Sequence, residues 1–402
     1  MSKVYIVSAK RTAIGSFMGS LSTVHPKVYG AEVVKTLLQD TQVPSDEIDE
    51  VIVGNILPAG LGQGLARQVS LTAGIPQSVP AYTLNMVCGS GMKTVMQASS
   101  LIRSNQAHCI IAGGVESMSK APFILPDRLR QGHKMGGFEV KDHMIDDALT
   151  DAFEPIHMGI TAENIAAKYQ ISREAQDQLA YQSQARAIKA QDEGRFKDEI
   201  VPITVAHRKG TFVFDADEYI NRQSSYEKLA SLRPAFKKDG SVTAGNSSGI
   251  NDGASFMMLV SESFAQKHNL SPLAEIVGIG QAGVDPNYMG LGPVPAINKA
   301  LKDAHLAFQD IDLFELNEAF AAQALGVLKG LEQEYGVDVD TMNAQTNVYG
   351  GSIALGHPVG ASGNRIIVTL LHALKSQNKS LGLASLCIGG GMGTALIVRS
   401  LA

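Results

Sequence analysis

Short runs of consecutive apolar residues alternate along the chain with stretches in which apolar residues recur every three or four positions. The segments Val51-Ile52-Val53-Gly54 and Cys109-Ile110-Ile111-Ala112 are unbroken apolar runs, which are typical of strands in a sheet covered on both faces. Between them a helix is predicted to begin just after Cys88, because one helical face carries Met92, Val95, Met96, Ser99 and Ile102. The alternation as a whole predicts an α/β fold.

The chain also repeats its own pattern. The segment around Ile48 resembles the segment around Ile311, which lies 263 residues further on. In each half a glycine-rich turn opens a helix, and an apolar strand ending in glycines follows; the turns are Gly89-Ser90-Gly91 and Gly360-Ala361-Ser362-Gly363. Two similar halves packed together are the simplest interpretation. The alternative is that any two α/β domains share such patterns.

Composition and charge exclude several classes of function. The 402 residues carry a net charge of -5, so the chain lacks the basic excess that neutralises nucleic-acid phosphates. No apolar run approaches the roughly 20 residues that span a bilayer. The short run Val4-Tyr5-Ile6-Val7 is interpreted as a first strand rather than a signal peptide. Three cysteines in so long a chain form no disulfide framework, which favours a reducing, cytoplasmic setting.

Charged side chains are concentrated between residues 121 and 249, whereas the segments on either side are more apolar. This contrast predicts an inserted, more solvated layer between the halves. Within it, residues 172 to 189 are predicted to form an amphipathic helix. Ser172 and Glu174 suit the N-terminus of this helix.

Cys88 is the first candidate for chemistry. It lies between a strand predicted over residues 79 to 87 and the helix described above. Its thiol is therefore expected to face the positive end of the helix dipole and free backbone N–H groups, which favour the thiolate. Gly89 and Gly91 allow a tight turn and the close approach of a substrate. The alternative at this stage is a buried, inert cysteine.

Two further segments carry a possible base or acid against a glycine-rich turn. His357, between Gly356 and Pro358, is placed to take a proton from Cys88 or to face a developing oxyanion; the alternative is a turn histidine with a surface role. Cys387 ends an apolar strand, and the glycines from Gly389 onward expose successive backbone N–H groups that suit an oxyanion hole. Together the three segments predict a thiol-based site for acyl chemistry.

Other chemistry is not indicated. The glycines from Gly389 onward lack the spacing of a dinucleotide-binding loop, and the turn Gly89-Ser90-Gly91 lacks that of a Walker loop. Cys109, within a strand, is expected to belong to the core. No cluster has metal-ligand spacing, so no metal is expected.

Taken together, these motifs resemble the thiolase family over nearly the full chain. Arg11-Thr12-Ala13-Ile14-Gly15-Ser16-Phe17 resembles the family's N-terminal motif, with Ala13 where proline is usual. Asn317-Glu318-Ala319-Phe320, Gly356-His357-Pro358 and Cys387-Ile388-Gly389 resemble its active-site loops, alongside the Cys88 turn.

The resemblance implies two similar α/β halves in a layered αβαβα thiolase-like fold, assembled as a homotetramer that is a dimer of dimers. It divides the chain into the first part of the N-terminal half (1–120), an inserted loop domain that binds coenzyme A (121–249), the completion of the N-terminal half (250–271) and the C-terminal half (272–402).

The resemblance also implies a role for each catalytic residue. Cys88 becomes the acyl thioester, His357 activates it and Cys387 is the second acid/base. Asn317 holds a water that joins His357 in one oxyanion hole, and the backbone N–H groups of Cys88 and Gly389 form the other. This division meets the needs of a Claisen condensation without a cofactor, since coenzyme A is itself substrate and product.

The segment His157-Met158-Gly159 resembles the short-chain, biosynthetic branch of the family, in which two acetyl-CoA give acetoacetyl-CoA and coenzyme A, reversibly. There Met158 and Phe320 crowd the acyl pocket and His157 lies near coenzyme A. By the same resemblance, further residues contact coenzyme A or the acyl group: Leu149, Arg222 near the adenine, Ala235, Phe236, Ser248, Met289 and Ala319.

Three alternatives remain. The first is a degradative, broad-range 3-ketoacyl-CoA thiolase, and the second is a non-catalytic relative that binds acyl-CoA. The third, a β-ketoacyl carrier-protein synthase, is disfavoured because Cys387 stands where that group resembles His or Asn.

Overall fold

The computed structural model describes residues 3–208 and 210–402; Met1 and Ser2 of the predicted N-terminal half and Lys209 of the predicted loop domain lie outside the described residues. The chain forms a large mixed sheet with helices packed against it, which confirms the α/β prediction. Its strands are β1 (Val4–Thr12), β2 (Gly15–Ser16), β3 (Glu50–Gly54), β4 (Ala81–Leu84), β5 (Cys109–Ser117), β6 (Phe123–Ile124), β7 (Lys141–Asp142), β8 (Ile200–Val201), β9 (Ile203–His207), β10 (Gly210–Phe214), β11 (Asn251–Ser261), β12 (Ala274–Gly283), β13 (Leu313–Leu316), β14 (Leu381–Ile388) and β15 (Met392–Ser400).

The helices follow the strands of each half and fill the segment between β5 and β11. Among the described residues, no helix is both long enough and apolar enough to cross a membrane. They are α1 (Pro26–Thr41), α2 (Leu65–Thr72), α3 (Ser90–Arg103), α4 (Met158–Tyr169), α5 (Arg173–Asp192), α6 (Tyr226–Ala230), α7 (Glu262–Lys267), α8 (Pro293–Ala304), α9 (Ala321–Tyr335), α10 (Val339–Gln345), α11 (Ser352–Leu355) and α12 (Val359–Ser376).

The strand order of one half is repeated in the other. From one edge the sheet runs β4-β3-β5-β11-β1, and from the opposite edge it runs β13-β14-β15-β12. The β3–β5 and β13–β14 pairs are parallel, and the next pairings inward are antiparallel in both halves. The halves meet where Tyr5 and Ile6 pair with Glu275 and Ala274. Since β3 and β13 follow Ile48 and Ile311 respectively, the predicted internal repeat is confirmed.

Helices α3 and α12 form the central layer of the molecule. They pack against each other and against strands of both halves. Met92 of α3 and Ile366 of α12 are fully buried in one shared core, where a side chain of this size stabilises the fold by about 1.5–3 kcal/mol. Outside the sheet, α1 and α2 cover the first half and α8 covers the second. This is the layered αβαβα packing that the resemblance implies.

Glycines allow the two central helices to approach at their N-terminal ends. A Cβ atom added at Gly91 would lie 2.8 Å from the backbone nitrogen of Asn364, and one added at Gly363 would lie 2.5 Å from a backbone nitrogen of α3. Only glycine tolerates such approaches. Because the loops before α3 and α12 carry Cys88 and His357, this close contact brings the two residues to the same region.

The segment between β5 and β11 lies outside the large sheet, except for β8, which pairs with β1. It contains the hairpins β6–β7 and β9–β10 and the helices α4 to α6. The helix predicted over residues 172 to 189 is confirmed as α5, and the Ser172 hydroxyl caps it by accepting a hydrogen bond from the Ala175 N–H at 3.2 Å. The four-part division into domains stays a prediction.

Candidate active site

One cavity of about 480 Å³ brings most of the predicted residues together. Cys88, His357, Cys387 and Gly389 all lie in its wall. The same wall contains nine of the predicted binding residues: Leu149, His157, Met158, Ala235, Phe236, Ser248, Met289, Ala319 and Phe320. The sequence segments that carry them are far apart, so the fold rather than local spacing assembles the site.

Cys88 lies in a constrained turn between β4 and α3. The strand predicted over residues 79 to 87 is wrong in its extent, because β4 ends at Leu84 and a turn follows. The Ser90 hydroxyl accepts from the Met86 N–H at 2.8 Å and donates to the Val87 carbonyl at 2.7 Å. Val87 has a φ of 47°, which is an uncommon conformation for a β-branched residue. Strain of this kind is concentrated at functional sites.

The thiol of Cys88 is protonated in the resting site. Burial raises its pKa to about 11, and this effect outweighs the hydrogen bonds from the backbone N–H groups of Gly389 and of Cys88 itself. The expectation that the helix terminus favours the thiolate is therefore wrong: desolvation by the cavity walls dominates. The predicted acyl transfer to Cys88 therefore requires a base that removes this proton.

His357, the predicted base, is held in a single orientation. A Cβ atom at Gly356 would lie 2.5 Å from the Asn251 side chain, which accepts a hydrogen bond from the His357 N–H at 2.8 Å. The Ser362 hydroxyl donates to the Pro358 carbonyl at 3.0 Å and lies 2.6 Å from His357 Nδ1. Ser362 Oγ must therefore accept from Nδ1–H, which leaves the lone pair on Nε2.

The Nε2 atom is buried and has no hydrogen-bond partner within residues 3–208 and 210–402. Burial, and then the positive charge of Arg365, lowers the pKa of His357 to about 3. The ring is thus neutral at physiological pH, with Nε2 as a proton acceptor in the same cavity wall as Cys88.

This lowered pKa predicts a dependence of stability on pH. The unfolded chain protonates His357 below pH 6.5, whereas the folded protein keeps it neutral until about pH 3, so its contribution to stability is complete above pH 6.5 and is lost as the pH falls. Between pH 7.5 and 5.0 we expect the parent to lose about 2 kcal/mol more of its free energy of unfolding than the His357→Gln variant does. Urea unfolding at both pH values and equal protein concentrations measures this; parallel losses would contradict it.

Cys387 and Gly389 lie at the end of β14 and in the turn to β15. Cys387 is buried, and its pKa is raised far above the ordinary value by burial and then by the neighbouring Cys88. Both cysteines lie in the wall of the same cavity. The following turn requires glycine, because Gly391 has a φ of 83° and an added Cβ would lie 2.3 Å from the Val284 carbonyl oxygen. Gly389 lies in this turn and in the wall of the cavity that contains Cys88.

Asn317 lies behind the cavity rather than in its wall. It is buried, and its Oδ1 atom accepts a hydrogen bond from the Ser352 hydroxyl at 2.5 Å. Its Nδ2 atom is buried and has no partner among the residues that the structure describes. A buried amide donor needs an acceptor, so this atom fits the predicted role of holding a water.

Aromatic rings and methionines line the part of the cavity that is predicted to hold the acyl group. The His157 ring stacks on Phe236 at 4.6 Å, and Phe236 meets Phe320 edge to face at 6.0 Å. Met158 and Met289 are buried in the same cluster as Cys387. His157 also caps α4, because its Nδ1 atom accepts from the Gly159 N–H at 3.0 Å.

Arg222 is the one predicted binding residue that lies away from the cavity wall. Its guanidinium pairs with Asp192 at 2.7 Å and donates to Gln191 at 2.7 Å on the half-exposed outer side of α5. Contact with an adenine would require those bonds to exchange. Its role stays a prediction.

Sequence reasoning missed residues that support the site. Ser362 sets the tautomer of His357, and its position five residues further on, in the first turn of α12, is the signal that was available. Glu116 gave no such signal. Its buried carboxylate accepts from the N–H groups of Ile56 at 3.0 Å and Gly360 at 2.9 Å, and so ties the segment after β3 to the first turn of α12, which follows His357. Burial raises the pKa of Glu116 to about 7.

Comparison with known proteins points to one family. Residues 4–263 match the family described as "Thiolase, N-terminal domain" and residues 270–400 match "Thiolase, C-terminal domain". The acetyl-CoA acetyltransferase of Chromobacterium violaceum is 53% identical over 99% of this chain and 99% of its own. That of Escherichia coli is 51% identical over 100% of both chains. The crystal structure of the Bacillus anthracis acetyl-CoA acetyltransferase superposes with a TM-score of 0.95 at 43% identity, over 100% of this chain and 99% of that one.

Proposed function

The chain belongs to the thiolase family, and we propose that it condenses two acetyl-CoA into acetoacetyl-CoA and coenzyme A, and catalyses the reverse thiolysis. The observation that carries this proposal is the shared cavity, in which two thiols, the neutral His357 imidazole and the Gly389 backbone meet within largely apolar walls. Relatives about half identical over their full length bear the name acetyl-CoA acetyltransferase. We expect neither metal nor cofactor to be required.

In the first half-reaction Cys88 is acetylated. His357 Nε2 takes the thiol proton as the Cys88 sulfur attacks the thioester carbonyl, and the N–H groups of Cys88 and Gly389 receive the oxyanion. Cys88 and Gly389 lie in the wall of the same cavity, which supports this placement of the acyl oxygen. The departing coenzyme A sulfur takes the Cys387 proton. His357 then carries a proton on Nε2, and Cys387 is a thiolate.

In the second half-reaction the carbon–carbon bond forms. The Cys387 thiolate removes a proton from the methyl group of a second acetyl-CoA, and protonated His357, with the water on Asn317, receives the enolate oxygen. The enolate attacks the acetyl group on Cys88, and the released Cys88 sulfur recovers its proton from His357. Burial disfavours each ion alone, but the imidazolium and thiolate form together and stabilise each other.

The direct test is to supply acetoacetyl-CoA and coenzyme A and to measure acetyl-CoA. We expect two acetyl-CoA for each acetoacetyl-CoA consumed, with saturation in both substrates. Binding of both substrates without consumption would instead favour the non-catalytic relative.

The methionines at the acyl end predict a limit on chain length. Met158, Met289 and Phe320 are buried around Cys387, so a long acyl chain would have to displace packed side chains. For thiolysis of 3-ketohexadecanoyl-CoA we expect a kcat/KM about 100-fold below that for acetoacetyl-CoA, and the Met289→Ala variant should narrow the gap. Equal kcat/KM values for the two substrates would support the degradative, broad-range alternative.

We further propose that the protein is a homotetramer, that it lies in the cytoplasm and that it serves lipid metabolism. The structural support for an assembly is a group of exposed apolar side chains near β6 and β7, together with the edge position of β4. The side chains are Phe123, Leu125, Met135 and Val140. We expect sedimentation to give about four times the chain mass of 42.6 kDa. Charged substitutions at Phe123 and Leu125 should shift the mass towards half; a monomeric parent would contradict the proposal.

A further inference from the structure

A connected set of buried polar side chains lies behind the cavity and ends at Asn317. Arg365 Nη1 pairs with Glu315 at 3.5 Å, and Arg365 Nη2 donates to the Ser352 hydroxyl at 3.2 Å. The Ser352 hydroxyl in turn donates to Asn317 Oδ1 at 2.5 Å. Each of these side chains is at most 2% exposed, so solvent does not compete for the bonds.

The chemistry of the donors gives this set a direction. Arg365 has only donors, so the Ser352 oxygen must accept from it, and the single hydroxyl proton remains for Asn317. If the Asn317 amide were turned by 180°, Nδ2 would face the Ser352 hydroxyl, and the hydroxyl proton would have lost Oδ1 as its acceptor. Oδ1 is therefore held on the Ser352 side, and Nδ2, which has no partner in the described parts of the chain, is the free end of the amide.

We propose that Ser352 and Arg365 are positioning residues, which hold the Asn317 amide with its amino group free to bind the water that receives the enolate oxygen. The inference rests on the proposed function, in which that water and His357 share one oxyanion hole. A charged donor at the start of the set polarises the hydroxyl and the amide in series, so it strengthens as well as orients the final N–H donor.

Location supports this assignment. Ser352 opens α11, the short helix that leads directly into Gly356 and His357, and Asn317 precedes Ala319 and Phe320 of the cavity wall. The set thus joins the loops that supply the two partners of one oxyanion hole. Glu315 on β13 is the acidic partner of the arginine, and it does not lie in the cavity wall.

The Ser352→Ala variant separates this role from a merely structural one. The acetylation half-reaction is measured by exchange of labelled coenzyme A into acetyl-CoA, and it uses the N–H groups of Cys88 and Gly389 instead of Asn317. We expect exchange to stay within about threefold of the parent, while the kcat of condensation falls about 30-fold, less than the 10²–10³-fold typical of losing an oxyanion donor outright.

The chain offers a close control. Ser255 is a buried serine whose hydroxyl donates to the Asn364 Oδ1 atom at 2.6 Å, outside the cavity wall. The Ser255→Ala variant deletes the same kind of bond, and we expect both half-reactions to be retained. The Ser352→Cys variant keeps a donor at this position, although the thiol is larger and donates more weakly, and its condensation rate should lie between those of Ser352→Ala and the parent.

A double-mutant cycle with Asn317→Ala completes the test. If Ser352 acts through Asn317, adding Ser352→Ala to Asn317→Ala slows condensation no further. Independent, multiplying effects would overturn the proposal, as would equal loss of exchange and condensation in Ser352→Ala or Ser352→Cys. A parent that neither exchanges nor condenses would refute the proposed function itself, which is a distinguishable result.

Discussion

The Cys88→Ala variant is expected to turn over acetoacetyl-CoA about 10⁴-fold or more slowly than the parent, with its affinity for coenzyme A within about threefold. Alanine removes the sulfur that accepts the acetyl group, while the cavity walls that hold the substrate remain. Steady-state thiolysis and equilibrium binding measure the two quantities.

Cys109 provides the matched control, because it is a fully buried cysteine in the core cluster of the first half rather than in the cavity. The Cys109→Ala variant should keep turnover near that of the parent. Retained turnover in Cys88→Ala would remove Cys88 from the mechanism, and loss of coenzyme A binding in that variant would show that the substitution disturbs the cavity as well.

The Cys387→Ser variant is expected to separate the two half-reactions. A serine hydroxyl is far less acidic than a thiol, so it is a poor source of the base that deprotonates acetyl-CoA. Condensation should fall about 10³-fold, whereas acetylation of Cys88 by acetyl-CoA, followed by rapid quenching and mass measurement, should still occur, because the coenzyme A thiolate is a good leaving group that needs little help from an acid.

The Cys109→Ser variant tests whether serine in place of a buried cysteine is harmful in general, and it should retain both half-reactions. Loss of Cys88 acetylation in Cys387→Ser would mean that the roles of the two cysteines are assigned wrongly.

The sequence carries much of this fold because its signals are local. Continuous apolar runs correspond to β3 and β5, and the helix expected after Cys88 is α3. The likeness around Ile48 and Ile311 marks strands that hold equivalent places in the two halves. Convergence of Cys88, His357 and Cys387 was predicted from their glycine-rich turns and from the resemblance, and the glycine contact between α3 and α12 supplies a physical cause for the first two.

Properties that depend on three-dimensional surroundings could not be predicted in this way. The helix terminus at Cys88 suggests a low thiol pKa, but burial between distant segments raises it instead. The tautomer of His357 depends on the Ser362 hydroxyl, which donates its hydrogen bond to the Pro358 carbonyl. The extent of β4 is limited by the Val87 turn, since a valine in an extended pattern gives no sign of positive φ.

The central claim is that acetyl transfer passes through a thioester on Cys88. Intact-protein mass after brief incubation with acetoacetyl-CoA tests it most directly, with Cys88→Ala as the control. We predict one added acetyl group on each parent chain and none on the variant. An unmodified, folded parent, or equal modification of both proteins, would contradict the account.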